Sequence, residues 1–129
     1  MNNIVIERKS AIPYFPGVNF NVETGICEIT GESYMEEAYK FYLPLINWIK
    51  EFTEKEQRSL YLNIKLIYFN TSTSKCLLDI FEILKKHLNK GGEAVITWFY
   101  DPEDPDMIDE IKDFERESEL IFNIKELQT

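Results

Sequence analysis

The stretch from Leu60 to Asn89 constrains the fold more than any other part of the chain. It starts with an apolar run that ends at Phe69, continues through a polar turn and ends in an amphipathic segment. The run is rich in β-branched and aromatic residues, which is typical of a buried strand. In the amphipathic segment the apolar residues recur at helical spacing, namely Leu77, Ile80, Phe81, Leu84 and Leu88. The stretch therefore predicts a core strand, a tight turn and a helix that packs one face on the sheet.

The turn between these two elements carries four consecutive hydroxyl side chains. They are Thr71, Ser72, Thr73 and Ser74, and Asn70 precedes them. The first turn of a helix leaves backbone N–H groups without partners, and one Ser, Thr or Asn side chain is enough to cap it. The surplus of hydroxyls is the first indication of a function.

The N-terminal part of the chain predicts strands followed by a helix. A short edge strand is expected near Ile4 to Glu7. Residues 18–22 and 26–30 flank a turn and predict a β-hairpin, whose second strand is expected to end at Gly31. Ser33 to Glu36 has the form of a capping box, which predicts the start of the first helix.

The C-terminal part predicts two further strands and a helix. Gly91-Gly92 is expected to end the helix of the central stretch. Ala94 to Tyr100 predicts a second strongly apolar strand, and Asp104-Pro105 predicts the start of a third helix. Leu120 to Ile124 predicts a last short strand.

Together these elements predict an α/β fold in the order β-β-α-β-α-β-α-β. We expect a mixed sheet of about five strands with three main helices, and later strands that are parallel. Residues 1–129 contain no linker, repeat or low-complexity tract, so a single domain is expected.

The charge of the chain argues against nucleic acid and membranes as partners. Lys and Arg number 14 against 23 Asp and Glu, so the formal charge is −9. Such a surface repels phosphate backbones and anionic lipids. The first nine residues carry charges where a signal peptide has its apolar core, and we therefore expect a cytoplasmic protein.

The residues of the hydroxyl turn fit a catalytic or cofactor site poorly. A Ser or Thr nucleophile needs a base within hydrogen-bond reach. The single histidine, His87, lies 16 positions beyond Thr71, which is roughly 24 Å along a straight helix. A phosphate-binding loop needs glycines, and none occurs between Leu60 and Leu88. We therefore predict no catalytic residue and no cofactor.

The acidic segment 101–110 leaves an alternative open. Its carboxylates are Asp101, Glu103, Asp104, Asp106, Asp109 and Glu110. They lack the spacing of a calcium loop. The helix macrodipole already explains acidic residues at a helix N-terminus. We assign no metal site here and keep metal or partner binding as an alternative.

The hydroxyls of the turn fit the role of phosphate acceptors better than that of nucleophiles. A phosphate adds a charge of about −1.5 to −2, and the free N–H groups and dipole of a helix N-terminus tolerate that charge. The positive charge of Lys75 interacts unfavourably with the positive end of the same helix dipole, which slightly destabilises the helix. A phosphate or a partner carboxylate that binds Lys75 would explain it, and a plain surface lysine is the other interpretation.

Three motifs in this order resemble the SiaC family of bacterial regulatory phosphoproteins. The first is Gly31-Glu32-Ser33-Tyr34, the second is Tyr68-Phe69-Asn70-Thr71-Ser72 with Lys75 three positions on, and the third is Trp98-Phe99-Tyr100-Asp101 followed by Asp104, Asp106 and Met107. The motifs span most of the chain. The fold of this family is similar to that of STAS domains, the anti-sigma-factor-antagonist fold, which agrees with the predicted order of elements.

The resemblance implies a switch. A cognate Ser/Thr kinase with the histidine-kinase-like ATPase fold phosphorylates family members on a threonine at the start of the helix after the central strand, and a PP2C-type phosphatase removes the phosphate. In the best-known system the unphosphorylated form binds and activates a diguanylate cyclase, which links the switch to cyclic-di-GMP and biofilm formation. By position the family threonine corresponds to Thr71, while Asn70 would hold the turn and Ser72 would cap the helix.

The sequence therefore predicts a non-catalytic, partner-switching phosphoprotein. Thr71 is the expected acceptor, ahead of Ser72, Thr73 and Ser74, and Asn70, Thr71, Ser72 and Lys75 form the expected partner-binding surface. One alternative is a constitutive STAS-like scaffold that binds its partner without phosphorylation. Another is a metal-binding or ligand-binding protein that uses segment 101–110.

Overall fold

The computed structural model describes residues 1–128, which form six strands and three helices. The strands are β1 (Ile4–Ile6), β2 (Gly17–Phe20), β3 (Ile26–Ser33), β4 (Leu60–Phe69), β5 (Ala94–Tyr100) and β6 (Asn123–Glu126). The helices are α1 (Ala38–Lys55), α2 (Thr71–Asn89) and α3 (Met107–Ser118). The predicted α/β class is confirmed, and the short N-terminal strand adds one strand to the expected five. The likeness to STAS domains remains a prediction.

The six strands form one mixed sheet in sequence order, from β1 to β6. β1, β2 and β3 pair antiparallel, whereas β3, β4, β5 and β6 pair parallel, as expected for the later strands. One helix connects each parallel pair. Since such crossovers are right-handed, all three helices lie on the same face of the sheet.

The core fills the space between that face and the helices. Along β4 alternate residues are buried, namely Leu60, Leu62, Ile64 and Leu66. The predicted stripe of α2 meets them with Leu77, Ile80, Phe81 and Leu84, whereas Leu88 lies at the exposed end of the helix. The opposite face of the sheet is open, and a row formed by Ile26, Tyr61 and Val95 runs across it.

The prediction that Gly31 ends the second hairpin strand is wrong. β3 continues to Ser33, and its register with β4 shifts between Gly31 and Glu32. Gly31 has a φ of +95°, and the side chain of Arg8 occupies the space that a Cβ would need. A β-bulge of this kind adds one residue to one strand, after which pairing continues, here from Glu32 and Tyr68 to Ser33 and Phe69.

The predicted capping box is also wrong. Ser33 lies in β3 and is fully buried, and α1 begins only at Ala38. Glu37 holds the N-cap position, and its side chain makes no capping hydrogen bond within the described chain. The hydroxyl of Ser33 cannot cap α1 because it binds other buried groups, which are described below.

The remaining boundaries differ from the prediction by a few residues. α3 begins at Met107 rather than at Asp104-Pro105, and β6 covers Asn123–Glu126 rather than 120–124. Gly91 follows α2 with a φ of +89°, as predicted for a helix end. Among the helices of residues 1–128, none is both long and apolar enough to cross a membrane.

Two glycines with positive φ provide a matched test of this packing. At Gly25, with a φ of +74°, an added Cβ would lie 2.5 Å from the carbonyl oxygen of Ser59, whereas at Gly91 it would meet nothing within 4 Å. Gly91→Ala should cost only the left-handed strain, about 1 to 2 kcal/mol. Gly25→Ala should add an overpacking cost, for about 3 kcal/mol in total. Chemical denaturation of both variants measures the difference, and equal losses would contradict the close packing at Gly25.

Candidate functional site

The four hydroxyl residues of the turn differ sharply in exposure. Thr71, the first residue of α2, is exposed, and Lys75 one turn later is exposed as well. Ser72 and Ser74 are half-buried, and Thr73 has an exposed fraction of 0%. Of these four hydroxyl residues, all within the described chain, Thr71 is the one in the exposed class.

Asn70 caps α2 and ties the turn to the neighbouring strand end. Its Oδ1 accepts a hydrogen bond from the backbone N–H of Thr73 at 2.9 Å. Its Nδ2 donates to the carbonyl of Met35 at 3.0 Å, and its backbone N–H donates to the carbonyl of Ser33 at 3.2 Å. The cap is therefore Asn70 and not Ser72, because only Asn70 has the extended backbone of an N-cap residue, with φ −101° and ψ 178°.

Ser72 caps the neighbouring helix instead. Its Oγ accepts a hydrogen bond at 3.1 Å from the backbone N–H of Ala38, the first residue of α1. The N-termini of α1 and α2 are thus adjacent, and one hydroxyl of α2 satisfies a free donor of α1. The half-buried Ser74 is also engaged, since its Oγ donates to the carbonyl of Asn70 at 3.2 Å.

A buried relay of hydroxyls lies beneath the turn and joins three elements. Thr73 Oγ1 in α2 donates to the carbonyl of Ser33 in β3 at 2.9 Å. Since a hydroxyl has one proton, Ser33 Oγ is the donor in its 2.8 Å bond to Thr73 Oγ1. By the same count Tyr42 OH in α1 donates to Ser33 Oγ at 2.9 Å. Burial raises the pKa of Tyr42, which keeps its phenol protonated as this relay requires.

The sequence arguments missed Ser33 and Tyr42 as site residues. Ser33 continues the inward alternation of Cys27, Ile29 and Gly31, and this period of two is the signal that would have placed it in the core. Tyr42 lies in a helix, whereas its partner is 9 residues away in sequence and belongs to a strand. No local pattern identifies such a pair.

Three tyrosines form a row beside the turn. The ring centroids of Tyr14 and Tyr34 are 6.0 Å apart, and those of Tyr34 and Tyr68 are 5.4 Å apart. Tyr34 directly follows Ser33, whose carbonyl binds Asn70, so the row borders the predicted partner-binding surface. Tyr14 and Tyr68 are exposed, and aromatic side chains of this kind are frequent anchors at protein interfaces.

The structure places His87 away from the hydroxyl turn. α2 is continuous from Thr71 to Asn89, so His87 lies at its far end. Burial, and then the carboxylate of Asp79, raise the pKa of Cys76 to about 11, which keeps its thiol protonated at neutral pH. Residues 1–128 hold no group of three His, Cys, Asp or Glu side chains that fits a metal ion, segment 101–110 included.

Burial also raises the pKa of Glu110, with smaller effects from Asp104 and Asp113. A carboxyl group whose pKa is raised by folding destabilises the folded state once the pH exceeds that pKa. At neutral pH the ionised Glu110 therefore carries a small cost in the folded protein, mainly from its partial burial.

The relay predicts that removing neighbouring hydroxyl groups lowers the stability of the protein by different amounts. Thr73→Val keeps the side-chain shape but leaves the buried Ser33 hydroxyl with only a weak sulfur acceptor, Met35 Sδ at 3.7 Å, and removes a donor from the Ser33 carbonyl. The free energy of unfolding should therefore fall by about 1 to 3 kcal/mol. Ser74→Ala removes a half-buried bond to a carbonyl that Ser74 N–H also binds. That variant should cost about 0.5 kcal/mol. Urea denaturation distinguishes the two, and a Thr73→Val loss no larger than that of Ser74→Ala would contradict the relay.

Comparison with known proteins identifies relatives over nearly the whole chain. The sequence profile of the SiaC family regulatory phosphoproteins matches residues 6–127. An uncharacterised protein of Pseudomonas aeruginosa (strain UCBPP-PA14) is 27% identical over 110 residues, which cover 85% of this chain and 87% of that protein.

Solved structures agree with the sequence profile. Apo-SiaC from Pseudomonas aeruginosa has a TM-score of 0.88 at 26% identity and covers 97% of this chain and 99% of its own. A chain in the crystal structure of the diguanylate cyclase SiaD in complex with its activator SiaC, from the same species, has a TM-score of 0.88 at 25% identity, covering 96% and 99%. The chain therefore belongs to the SiaC family of regulatory phosphoproteins.

Proposed function

We propose that this chain is a non-catalytic partner-switching protein that is reversibly phosphorylated on Thr71. One observation carries the proposal: Thr71 is exposed at the start of α2, while the hydroxyls of Ser72, Thr73 and Ser74 are engaged in hydrogen bonds with the protein. A kinase can reach Thr71 without breaking any of these bonds. Modification of Thr73 would require the buried relay to open.

The proposed partners are those that the resemblance to the SiaC family implies. A cognate Ser/Thr kinase with the histidine-kinase-like fold adds the phosphate, and a PP2C-type phosphatase removes it. The effector is a diguanylate cyclase, by extension from SiaC, which occurs in a complex with the cyclase SiaD as its activator. The switch would then act on cyclic-di-GMP signalling.

The phosphate acts on the surface and leaves the fold intact. It adds a charge of about −1.5 to −2 beside the free N–H groups of a helix N-terminus, which favour an anion. Lys75 lies four positions after Thr71 and therefore on the same face of α2, within reach of the phosphate. A phosphate bound by Lys75 would offset the cost of a cation near the positive end of the helix dipole.

The docking surface consists of Asn70, Thr71, Ser72 and Lys75. The side chains of Asn70 and Ser72 are held by internal hydrogen bonds, so they contribute a rigid shape. Thr71 and Lys75 contribute the exposed groups. A phosphate on Thr71 changes both the charge and the bulk at the centre of this surface, which repels a partner fitted to the bare threonine.

Thr71→Ala should separate binding from regulation. The variant should bind the diguanylate cyclase of its own organism with unchanged affinity, because the bare form is the binding form. After incubation with kinase and ATP, wild-type binding should weaken by about tenfold or more, whereas that of Thr71→Ala should not change. Titration calorimetry with and without kinase measures both, and Ser74→Ala is the matched control that should remain regulated.

Two results would count against the proposal. If phosphorylated wild type binds the cyclase as tightly as the bare form, the constitutive scaffold is the better account. If Ser74→Ala escapes regulation and Thr71→Ala does not, the acceptor is Ser74.

A further inference from the structure

The sheet has two edges, because its six strands are paired in sequence order from β1 to β6. The backbone N–H and C=O groups on the outer side of an edge strand have no partner within the sheet and can pair with a strand of another chain. Proteins usually prevent such pairing with charged side chains, a proline, a bulge or a very short strand at the edge. The two edges of this sheet differ in these features.

The β6 edge carries charges, whereas the β1 edge is apolar. β6 includes Lys125 and Glu126 among its four residues. β1 consists of Ile4, Val5 and Ile6, and it pairs with β2 without a register shift. Val5 is 63% exposed and Ile6 is 36% exposed. Short length is therefore the one protective feature of β1, and its edge can be extended by a strand that matches it.

The segments on either side of β1 leave its outer side open. Before the strand, Trp48 of α1 donates from Nε1 to the carbonyl of Asn2 at 2.7 Å, which fixes the chain to the helix. After the strand, the side chain of Arg8 fills the space beside Gly31, so the chain turns back over its own sheet. Residues 5–10 are all exposed. β1 is thus held in a fixed position with a free edge, which lowers the entropy cost of pairing.

The hydrogen bonds of the hairpin show which groups of β1 point outward. Asn21 N–H donates to the carbonyl of Ile26 at 3.0 Å, so Asn21 points toward β3. Backbone direction alternates along an antiparallel strand, so the preceding residue, Phe20, points toward β1, where its partner is Ile4. By the same alternation the N–H and C=O groups of Val5 point away from β2. They lie on the outer side of the sheet.

A second copy of β1 fits this edge when the two strands run antiparallel about a two-fold axis beside Val5. Val5 then lies opposite its own copy, and the outer N–H and C=O groups of each bond those of the other. Ile4 of each copy lies opposite Ile6 of the other, on the face where their partners in β2 are buried. Moving the axis by one residue would place Val5 opposite Asn3 or Glu7. The register centred on Val5 therefore pairs every residue of β1 with an apolar residue.

The charges near β1 permit this pairing. The formal charge of −9 makes two copies repel each other overall. Next to β1, however, the charged residues are Glu7, Arg8 and Lys9, which sum to a charge of +1. In the register centred on Val5, Glu7 lies opposite Asn3 and Arg8 lies opposite a second asparagine at position 2. Like charges are therefore not directly opposed along residues 2–8.

We propose that the β1 edge binds a second copy of this chain, so that two six-stranded sheets join into one sheet of twelve strands. The self-complementary sequence of the strand identifies the occupant. Residues 2–8 of each copy take part, which is fewer than the roughly 20 to 30 residues per side of a standard interface, so the dimer is weak and depends on concentration.

The dimer is independent of phosphorylation. Thr71 follows β4, and β4 is separated from β1 by two strands of the sheet. Pairing at the β1 edge therefore leaves Thr71 exposed in both copies. The dimer presents two copies of the docking surface on one particle, which allows a partner with two binding sites to bind with higher avidity.

Sedimentation equilibrium of the full chain, from about 10 µM to about 1 mM, tests the pairing. The wild-type mass should rise with concentration from 15.3 kDa toward twice that value. Val5→Lys should keep the monomer mass throughout, because two lysines would lie directly opposite each other. Ile121→Lys is the matched control, since Ile121 is 92% exposed but lies just before β6. It should dimerise as the wild type does.

Val5→Pro guards against a folding defect of Val5→Lys. The N–H of Val5 points away from β2, so proline removes an outer donor and breaks no hydrogen bond to β2. This variant should also stay monomeric, with the circular dichroism spectrum of the wild type. For the wild type at high concentration, isotope-filtered NMR should detect contacts between Ile4 of one copy and Ile6 of the other, and this measurement decides the question if both variants fail to fold.

Three results would overturn the proposal. The first is a wild-type mass that stays at 15.3 kDa over the whole concentration range. The second is dimerisation that survives both Val5→Lys and Val5→Pro. The third is dimerisation that is lost only with Ile121→Lys, which would place the contact at the β6 edge.

Discussion

The relay of buried hydroxyls from Tyr42 through Ser33 to Thr73 is the interaction on which the rest of the site depends. An unpaired hydroxyl in a core costs a substantial part of the stability of a protein, so three elements must meet in one arrangement to satisfy all three groups. That arrangement brings the N-termini of α1 and α2 together beside the end of β3. The exposed Thr71 and the tyrosine row lie beside this junction.

The site divides its polar side chains between structure and function. Asn70, Ser72 and Thr73 hold the turn through bonds to β3, α1 and the segment between them. Thr71 sits among them and takes no part in that support, so its chemistry can change while the turn keeps its shape. A surface of this kind suits a regulator, because the modified and unmodified forms differ in charge but share a fold.

Local signals in the sequence were sufficient where neighbouring residues decide the structure. The apolar run of β5, the stripe of α2 and the turn that carries Thr71 were predicted close to their observed bounds. The prediction for Ser33 was wrong because the same short sequence fits both a capping box and the end of a strand. Its hydrogen-bond partner Thr73 lies 40 residues away in sequence, so no local pattern reveals the contact.

The central claim is that Thr71 is the acceptor and that its neighbours are structural. Mass spectrometry of the protein from its native cells tests this most directly. Trypsin cleaves after Lys65 and Lys75 and releases residues 66–75 with all four hydroxyls on one peptide. The account predicts fragment ions that place a single phosphate on Thr71. A phosphate on the buried Thr73, or a peptide that stays unmodified across growth conditions and with a co-expressed cognate kinase, would contradict it.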